Sequence, residues 1–97
     1  MNEKKELAIV ALSTSESQPG NYVLILEDLD QQRRIPIIIG MPEAQSIAIA
    51  MEQMHPARPL THDLLKNVMD ALGGILKEVI IYQLADGVFH ARLILLG

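Results

Sequence analysis

The chain has 97 residues and a mass of 10.7 kDa; 49% of the residues are hydrophobic and 21% charged, which predicts one small folded domain and excludes a disordered segment. The net charge of −4 is unlike that of proteins that bind mainly to phosphate backbones, and the absence of cysteine excludes disulfides, thiolate metal sites and cysteine nucleophiles. No apolar run approaches the roughly 18 residues of a membrane span, and the N-terminus does not resemble a signal peptide. We therefore expect a soluble, cytoplasmic protein with no membrane partner.

Three β-strands are predicted in the first part of the chain. Residues 7–12 and 22–26 are apolar runs rich in β-branched side chains, with a polar loop between them. A turn at residues 30–32 then leads into a third run at 33–39. Because Pro36 cannot donate a ladder hydrogen bond, we expect the third strand to be bulged there or to have no neighbour on that side.

An acidic cluster flanks the turn between the second and third strands. It consists of Glu27, Asp28 and Asp30, and Arg33 and Arg34 follow directly. We interpret it as a solvated turn whose charge the two arginines neutralise across the hairpin. The alternative is that it recruits a cation.

Two helices are predicted next. The first begins at residues 40–43, where Pro42 and Glu43 suit an initial turn, and it ends before Pro56. Its apolar stripe is Ala44, Ile47, Ala48, Met51 and Met54. The second helix is expected to have Thr61 as its N-cap and to end at Gly73-Gly74. The stripe that we expect it to bury is Leu64, Leu65, Val68, Met69 and Leu72.

Residues 75–84 and 88–96 are predicted to be the last two strands, joined by a hairpin turn at Asp86-Gly87. The order β-β-β-α-α-β-β predicts an α+β fold, with two helices packed on a mixed, mostly antiparallel sheet. The third and fifth strands are apolar at odd and even positions alike, which indicates that both faces are covered. Since two helices cannot cover both faces, a partner subunit or further chain must contribute, and we expect a homo-oligomer, dimeric or larger.

Several segments resemble the bifunctional nuclease family. They are residues 34–40 (RIPIIIG), 43–48 (EAQSIA) and 58–65 (RPLTHDLL), with similar closing strands at 79–82 and 87–91. The resemblance extends over roughly residues 5–96. It implies a small α+β domain, often dimeric or larger, with nuclease activity on DNA and RNA. Because domains of this family continue beyond a fifth strand, we expect residues 1–97 to be a single domain truncated at its C-terminus.

Hydrolysis of a phosphodiester needs an activated water, stabilisation of charge on the phosphate and usually a metal ion. Residues of this chemistry occur at the starts of the two predicted helices, and helix N-termini attract anions. We predict that Arg58 holds a phosphate and that His62 is a general base or metal ligand. Asp63 and Glu43 would bind a divalent ion, Mg²⁺ or Mn²⁺, through oxygen. The competing interpretation is structural, because a carboxylate in a first helical turn is favoured without any catalysis.

Two functions from different classes therefore remain open. The family resemblance favours a metal-dependent nuclease that cleaves DNA and RNA, with the candidate catalytic residues Glu43, Arg58, His62 and Asp63. The acidic balance, the two-faced apolar strands and an aromatic content of 3% favour a non-catalytic oligomeric interaction or regulatory module. His55 and His90 are expected to be structural in either case.

Overall fold

The computed structural model describes residues 4–97 and contains five strands and two helices in the expected order. They are β1 (Leu7–Thr14), β2 (Tyr22–Asp28), β3 (Arg34–Ile39), α1 (Met41–Met51), α2 (Thr61–Ala71), β4 (Ile75–Ala85) and β5 (Val88–Leu96). All strand pairs are antiparallel, and the predicted α+β class is confirmed. The chain forms two compact units, one that ends at His55 and one from Pro56 to Gly97. Among the described residues, no helix is long and apolar enough to cross a membrane.

The first unit is a three-stranded sheet with α1 beside its central strand. The strand order is β1-β2-β3, so β2 hydrogen-bonds on both sides and carries the most buried positions. The buried apolar residues of the described chain are Leu24 and Leu26 on β2 and Ala44 on α1. A small residue at position 44 lets the helix approach the strand closely, and this contact forms the core of the unit.

Pro36 lies on an edge strand. It pairs with Ile25 in a regular register, without a bulge, and β3 has no second neighbour in the described structure. The expectation of a bulge is therefore not met, and the expectation that Pro36 has no neighbour on one side is. Its missing N–H costs no hydrogen bond on an open edge. The irregularity in this sheet lies in β1 instead, between Ile9 and Ala11.

The two helices end in the same way, although only one end has glycine. Gly73 has a φ of +84° after α2, and the N–H of Gly74 donates to the carbonyl of Met69 at 2.9 Å, as expected for a glycine stop. After α1 this conformation is taken by Gln53, with a φ of +55°. The helix consequently ends at Met51, and the prediction that Met54 continues its stripe is wrong.

The second unit pairs α2 with the β4–β5 hairpin. Asp86 and Gly87 have φ values of +53° and +76°, which is the left-handed pair that a tight hairpin turn requires. The apolar stripe of α2 is not buried as expected, and Leu72 is 83% exposed. Leu64, Leu65 and Val68 are exposed as well. A two-stranded hairpin offers the helix too small a surface, and between Pro56 and Gly97 the structure shows no fully buried side chain.

Charge neutralisation across the β2–β3 turn is confirmed. The Nε atom of Arg34 lies 3.2 Å from Oε2 of Glu27, its partner across the strands. An Nη atom of Arg33 lies 3.9 Å from Oδ2 of Asp28. Both arginines are mostly exposed, so the pairs set the local charge balance more than they stabilise the fold.

Asp28 organises this turn through its backbone contacts. Its Oδ1 accepts the N–H of Asp30 at 2.9 Å and the N–H of Gln31 at 3.3 Å, while its side chain is buried. The hydrogen bond from Asp30 is the main reason that the pKa of Asp28 lies below its ordinary value of 3.8. Burial opposes this effect, whereas the N–H of Gln31 and the charges of Lys5 and Arg33 reinforce it.

We predict that Asp28→Asn destabilises the protein at neutral pH, because the amide lacks the charge that the turn stabilises. A lowered folded-state pKa gives stability that is complete above the unfolded value of 3.8 and is lost as the pH falls through the folded value. The difference between wild type and variant should therefore shrink below about pH 4 in urea unfolding followed by circular dichroism. Asp30→Asn, which keeps the backbone donor, is the matched control. A difference that stays constant with pH would contradict this role.

Candidate functional site

Glu43 lies in the first turn of α1. The helix begins after Gly40, which has no side chain to cap it, and Glu43 is its third residue. A β-carbon added at Gly40 would lie 3.2 Å from Oε2 of Glu43, so the carboxylate folds back over the helix start. This geometry fits the structural interpretation, in which negative charge meets the positive end of the helix dipole. The side chain is exposed and remains accessible to a ligand.

The start of α2 differs from the prediction. The N-cap is Leu60 rather than Thr61, which is already the first helical residue. An apolar side chain cannot accept a hydrogen bond, and the cap instead depends on Asp63. Its Oδ2 accepts the N–H of Leu60 at 2.9 Å, which is the carboxylate half of a capping box.

His62 and Asp63 contact each other at this helix start. The Nε2 atom of His62 lies 3.4 Å from Oδ1 of Asp63, and the two side chains are 50% and 41% exposed. Asp63 thus uses one oxygen for the backbone and turns the other toward the imidazole. The helix cap thus fixes a carboxylate oxygen beside the ring.

Arg58 belongs to the same unit and lies in the loop that leads into α2. It is exposed, and within residues 4–97 no hydrogen bond or ion pair engages its guanidinium group. In the described structure, Arg58 therefore has no carboxylate partner that would give it a structural role. Glu43 belongs to the first unit, so the second unit supplies three of the four candidates, and two of these are in contact.

The candidate residues supply oxygen donors for a metal ion, but they do not form a complete set of ligands. No group of three or more His, Asp and Glu side chains gathers around one point in the described part of the chain. Mg²⁺ in phosphoryl-transfer sites, however, commonly takes only one or two protein carboxylates and completes its shell with water and substrate phosphates. Asp63 and Glu43 have the right oxygen donors for this, although both oxygens of Asp63 already have polar neighbours.

One polar cluster lies outside the predicted site. The guanidinium carbon of Arg92 on β5 lies 4.1 Å from the centre of the Tyr82 ring on β4. The ring of His90 lies 6.2 Å from that of Tyr82. In the sequence, the alternation of side chains along β5 already places His90 and Arg92 on one face of the strand. Tyr82 is the extra residue of an irregularity in β4, and no sequence pattern indicated that irregularity.

Comparison with known proteins supports the family resemblance seen in the sequence. Residues 24–97 match the family model of the bifunctional nuclease domain, a stretch that includes all four candidate residues. Uncharacterized proteins from two strains of Mycobacterium tuberculosis are each 47% identical over 78 residues. The match covers 79% of this chain and 48% of each relative, so the chain spans about half the length of these curated relatives.

We predict that Asp63→Ala lowers the free energy of unfolding by about 0.5–1 kcal/mol, because the N–H of Leu60 loses its acceptor and the helix start loses a favourable charge. Asp63→Asn keeps an acceptor and should cost less. Urea unfolding followed by circular dichroism measures both effects. Asp70→Asn, in the last turn of the same helix, is the control and should change stability by less than about 0.5 kcal/mol. Equal losses at positions 63 and 70 would argue against the capping role.

Proposed function

This chain belongs to the bifunctional nuclease domain family, and from this membership we propose that it hydrolyses phosphodiester bonds in DNA and RNA in a metal-dependent reaction. The observation that carries the proposal is the contact between His62 and Asp63 at the start of α2. These two residues and Arg58 together offer a base, a carboxylate and a phosphate-binding cation within six consecutive positions.

His62 is the proposed general base. The Oδ1 atom of Asp63 beside Nε2 favours the neutral tautomer that has its proton on Nε2. Nδ1 is then the atom that accepts a proton from the attacking water. The imidazolium that forms is stabilised by the same carboxylate, which the backbone N–H of Leu60 holds in place. A half-exposed ring suits this task because water and a large substrate reach it directly.

The proposed phosphate site is the first turn of α2 with Arg58. The first N–H groups of a helix have no carbonyl partner within the helix and point toward an approaching anion. Arg58, just upstream, adds a two-pronged donor to phosphate oxygens. A Mg²⁺ or Mn²⁺ ion held by Asp63 would polarise the phosphoryl group and offset its negative charge.

We predict that His62→Gln reduces cleavage of labelled single-stranded DNA and RNA by about 10²- to 10⁴-fold, the usual contribution of a general base. The assay runs in Mg²⁺ or Mn²⁺ and, in parallel, in excess chelator. His55→Gln is the matched control, since His55 is exposed and lies outside the proposed site. It should cleave as the wild type does.

Asp63→Asn separates the two roles of the carboxylate. It keeps an acceptor for the Leu60 N–H but loses the charge that faces His62, so activity should fall much more than stability. Cleavage that persists in chelator would rule out the metal dependence. Full cleavage by the His62→Gln variant would rule out the proposed base.

We also propose that the chain assembles into a homo-oligomer. One face of the β4–β5 hairpin is apolar, and its side chains are 40–56% exposed. These side chains are Val79, Ile81, Leu93 and Leu95. The exposed stripe of α2 adds further apolar side chains to the surface of the same unit, and exposed apolar surface of this kind favours association. This surface also supports the second candidate function, a non-catalytic interaction module.

We predict that light scattering coupled to size exclusion gives a mass of at least twice 10.7 kDa for the wild type. The double variant Leu93→Gln, Leu95→Gln should shift the mass toward the monomer, because it places polar groups in an apolar contact. Leu29→Gln replaces a similarly exposed leucine of the first unit and should leave the mass unchanged. A wild-type monomer at high concentration would refute the assembly.

A further inference from the structure

Near the turn, the face of the β4–β5 hairpin opposite Val79 and Leu93 carries a different kind of surface. Arg92 pairs with Ile80 and His90 pairs with Gln83, so both lie on the same side of β5. The pairing of β4 is irregular between Ile81 and Gln83, and Tyr82 is the extra residue there. Bulges of this kind redirect a side chain, and they are frequent beside functional sites.

The Tyr82 ring is held on two sides. Arg92 lies over one face of the ring, with its guanidinium carbon 4.1 Å from the ring centre. His90 lies beside it at 6.2 Å, with the two rings tilted by 48°. Even so, Tyr82 is 49% exposed. The ring is therefore oriented by its neighbours and still has open surface for a ligand.

The chemistry of this cluster suits a nucleotide. An oriented aromatic ring stacks on any base, and this contact does not depend on sequence. A guanidinium group that stacks on a ring keeps its N–H groups in its own plane, where they can bind phosphate. The register places Glu78 on the far side of Arg92 from His90, so a phosphate would approach Arg92 from the His90 side.

We propose that Tyr82, His90 and Arg92 form a subsite for single-stranded nucleic acid, in which a base stacks on Tyr82 and an adjacent phosphate binds Arg92. The subsite deepens the proposed function and rests on it, because it takes nucleic acid as the ligand. It uses none of the residues assigned to hydrolysis. Unpaired strands are favoured as the ligand because a base inside a duplex has no free face to offer.

Binding is measured in chelator, so that cleavage does not interfere, by fluorescence anisotropy of two labelled probes of equal length. One is oligothymidine, and the other is an abasic strand with the same phosphates. Tyr82→Leu should weaken binding of oligothymidine by about 5- to 150-fold, the usual range for one stacked base, and leave the abasic strand unaffected. Tyr82→Phe keeps the ring and should bind as the wild type does.

Arg92→Met should weaken binding of both probes, because each carries the phosphates. It should also make the salt dependence shallower, by about 0.7 in the logarithmic slope for one contact with a single strand. Arg33→Met removes an exposed arginine of the first unit and is the matched control. It should change neither quantity.

Tyrosine emission gives a direct readout of the stacking. The chain has two tyrosines and no tryptophan, so Tyr22→Phe leaves Tyr82 as the sole tyrosine emitter. In that variant, unlabelled oligothymidine should quench the emission and the abasic strand should not.

The inference is overturned if oligothymidine does not bind, if Tyr82→Leu binds it as tightly as the wild type, or if that variant loses both probes equally. Circular dichroism of each variant checks that it folds. Failure of the nuclease proposal is distinguishable. No cleavage in Mg²⁺ or Mn²⁺ with the predicted binding pattern would refute hydrolysis and support the subsite. Cleavage by a chain whose binding does not depend on Tyr82 would support hydrolysis and refute the subsite.

Discussion

Antiparallel backbone pairing is the interaction on which the rest of this structure depends. The described chain buries only three apolar side chains, Leu24, Leu26 and Ala44, and the second unit buries none. Packing alone therefore cannot specify where each residue lies, and the ladders between neighbouring strands supply that information. The ladders fix which side chains share a face, and through this they place the charged pairs of the first hairpin and the aromatic cluster of the second.

The strands and two of the hairpins that join them could be read from the sequence, because these signals are local, whereas the full pairing order could not. Five apolar runs and an Asp-Gly turn identify the strands, and Gly73 identifies the end of α2. The misplaced details have a common cause, which is that another residue met the same backbone requirement. Gln53 took the left-handed conformation expected of a glycine, and Asp63 satisfied the helix start for which a threonine was expected. Propensity ranks residues for such positions, but it does not exclude the less favoured ones.

For the candidate site, the sequence predicts residue chemistry but not contacts between side chains. Sequence identified His62 and Asp63 as chemically able side chains, but neighbours in a helix point in different directions and need not touch. Their contact exists because the cap to Leu60 holds the carboxylate at the start of the helix, where His62 also lies. The structural and functional interpretations of Asp63 are therefore not exclusive. The hydrogen bond that stabilises α2 also holds the carboxylate beside the proposed base.

The β4–β5 hairpin shows how one short element serves two purposes. An isolated two-stranded ribbon is marginally stable, so the apolar face with Val79 and Leu93 favours association with another surface. Association through that face leaves Tyr82 and Arg92 uncovered on the opposite one, since successive side chains of a strand alternate between the two sides. Tyr82, the extra residue of the bulge, lies beside Arg92 and His90 on that opposite face. The alternation of side chains along the strands thus separates the surface suited to assembly from the surface suited to a ligand.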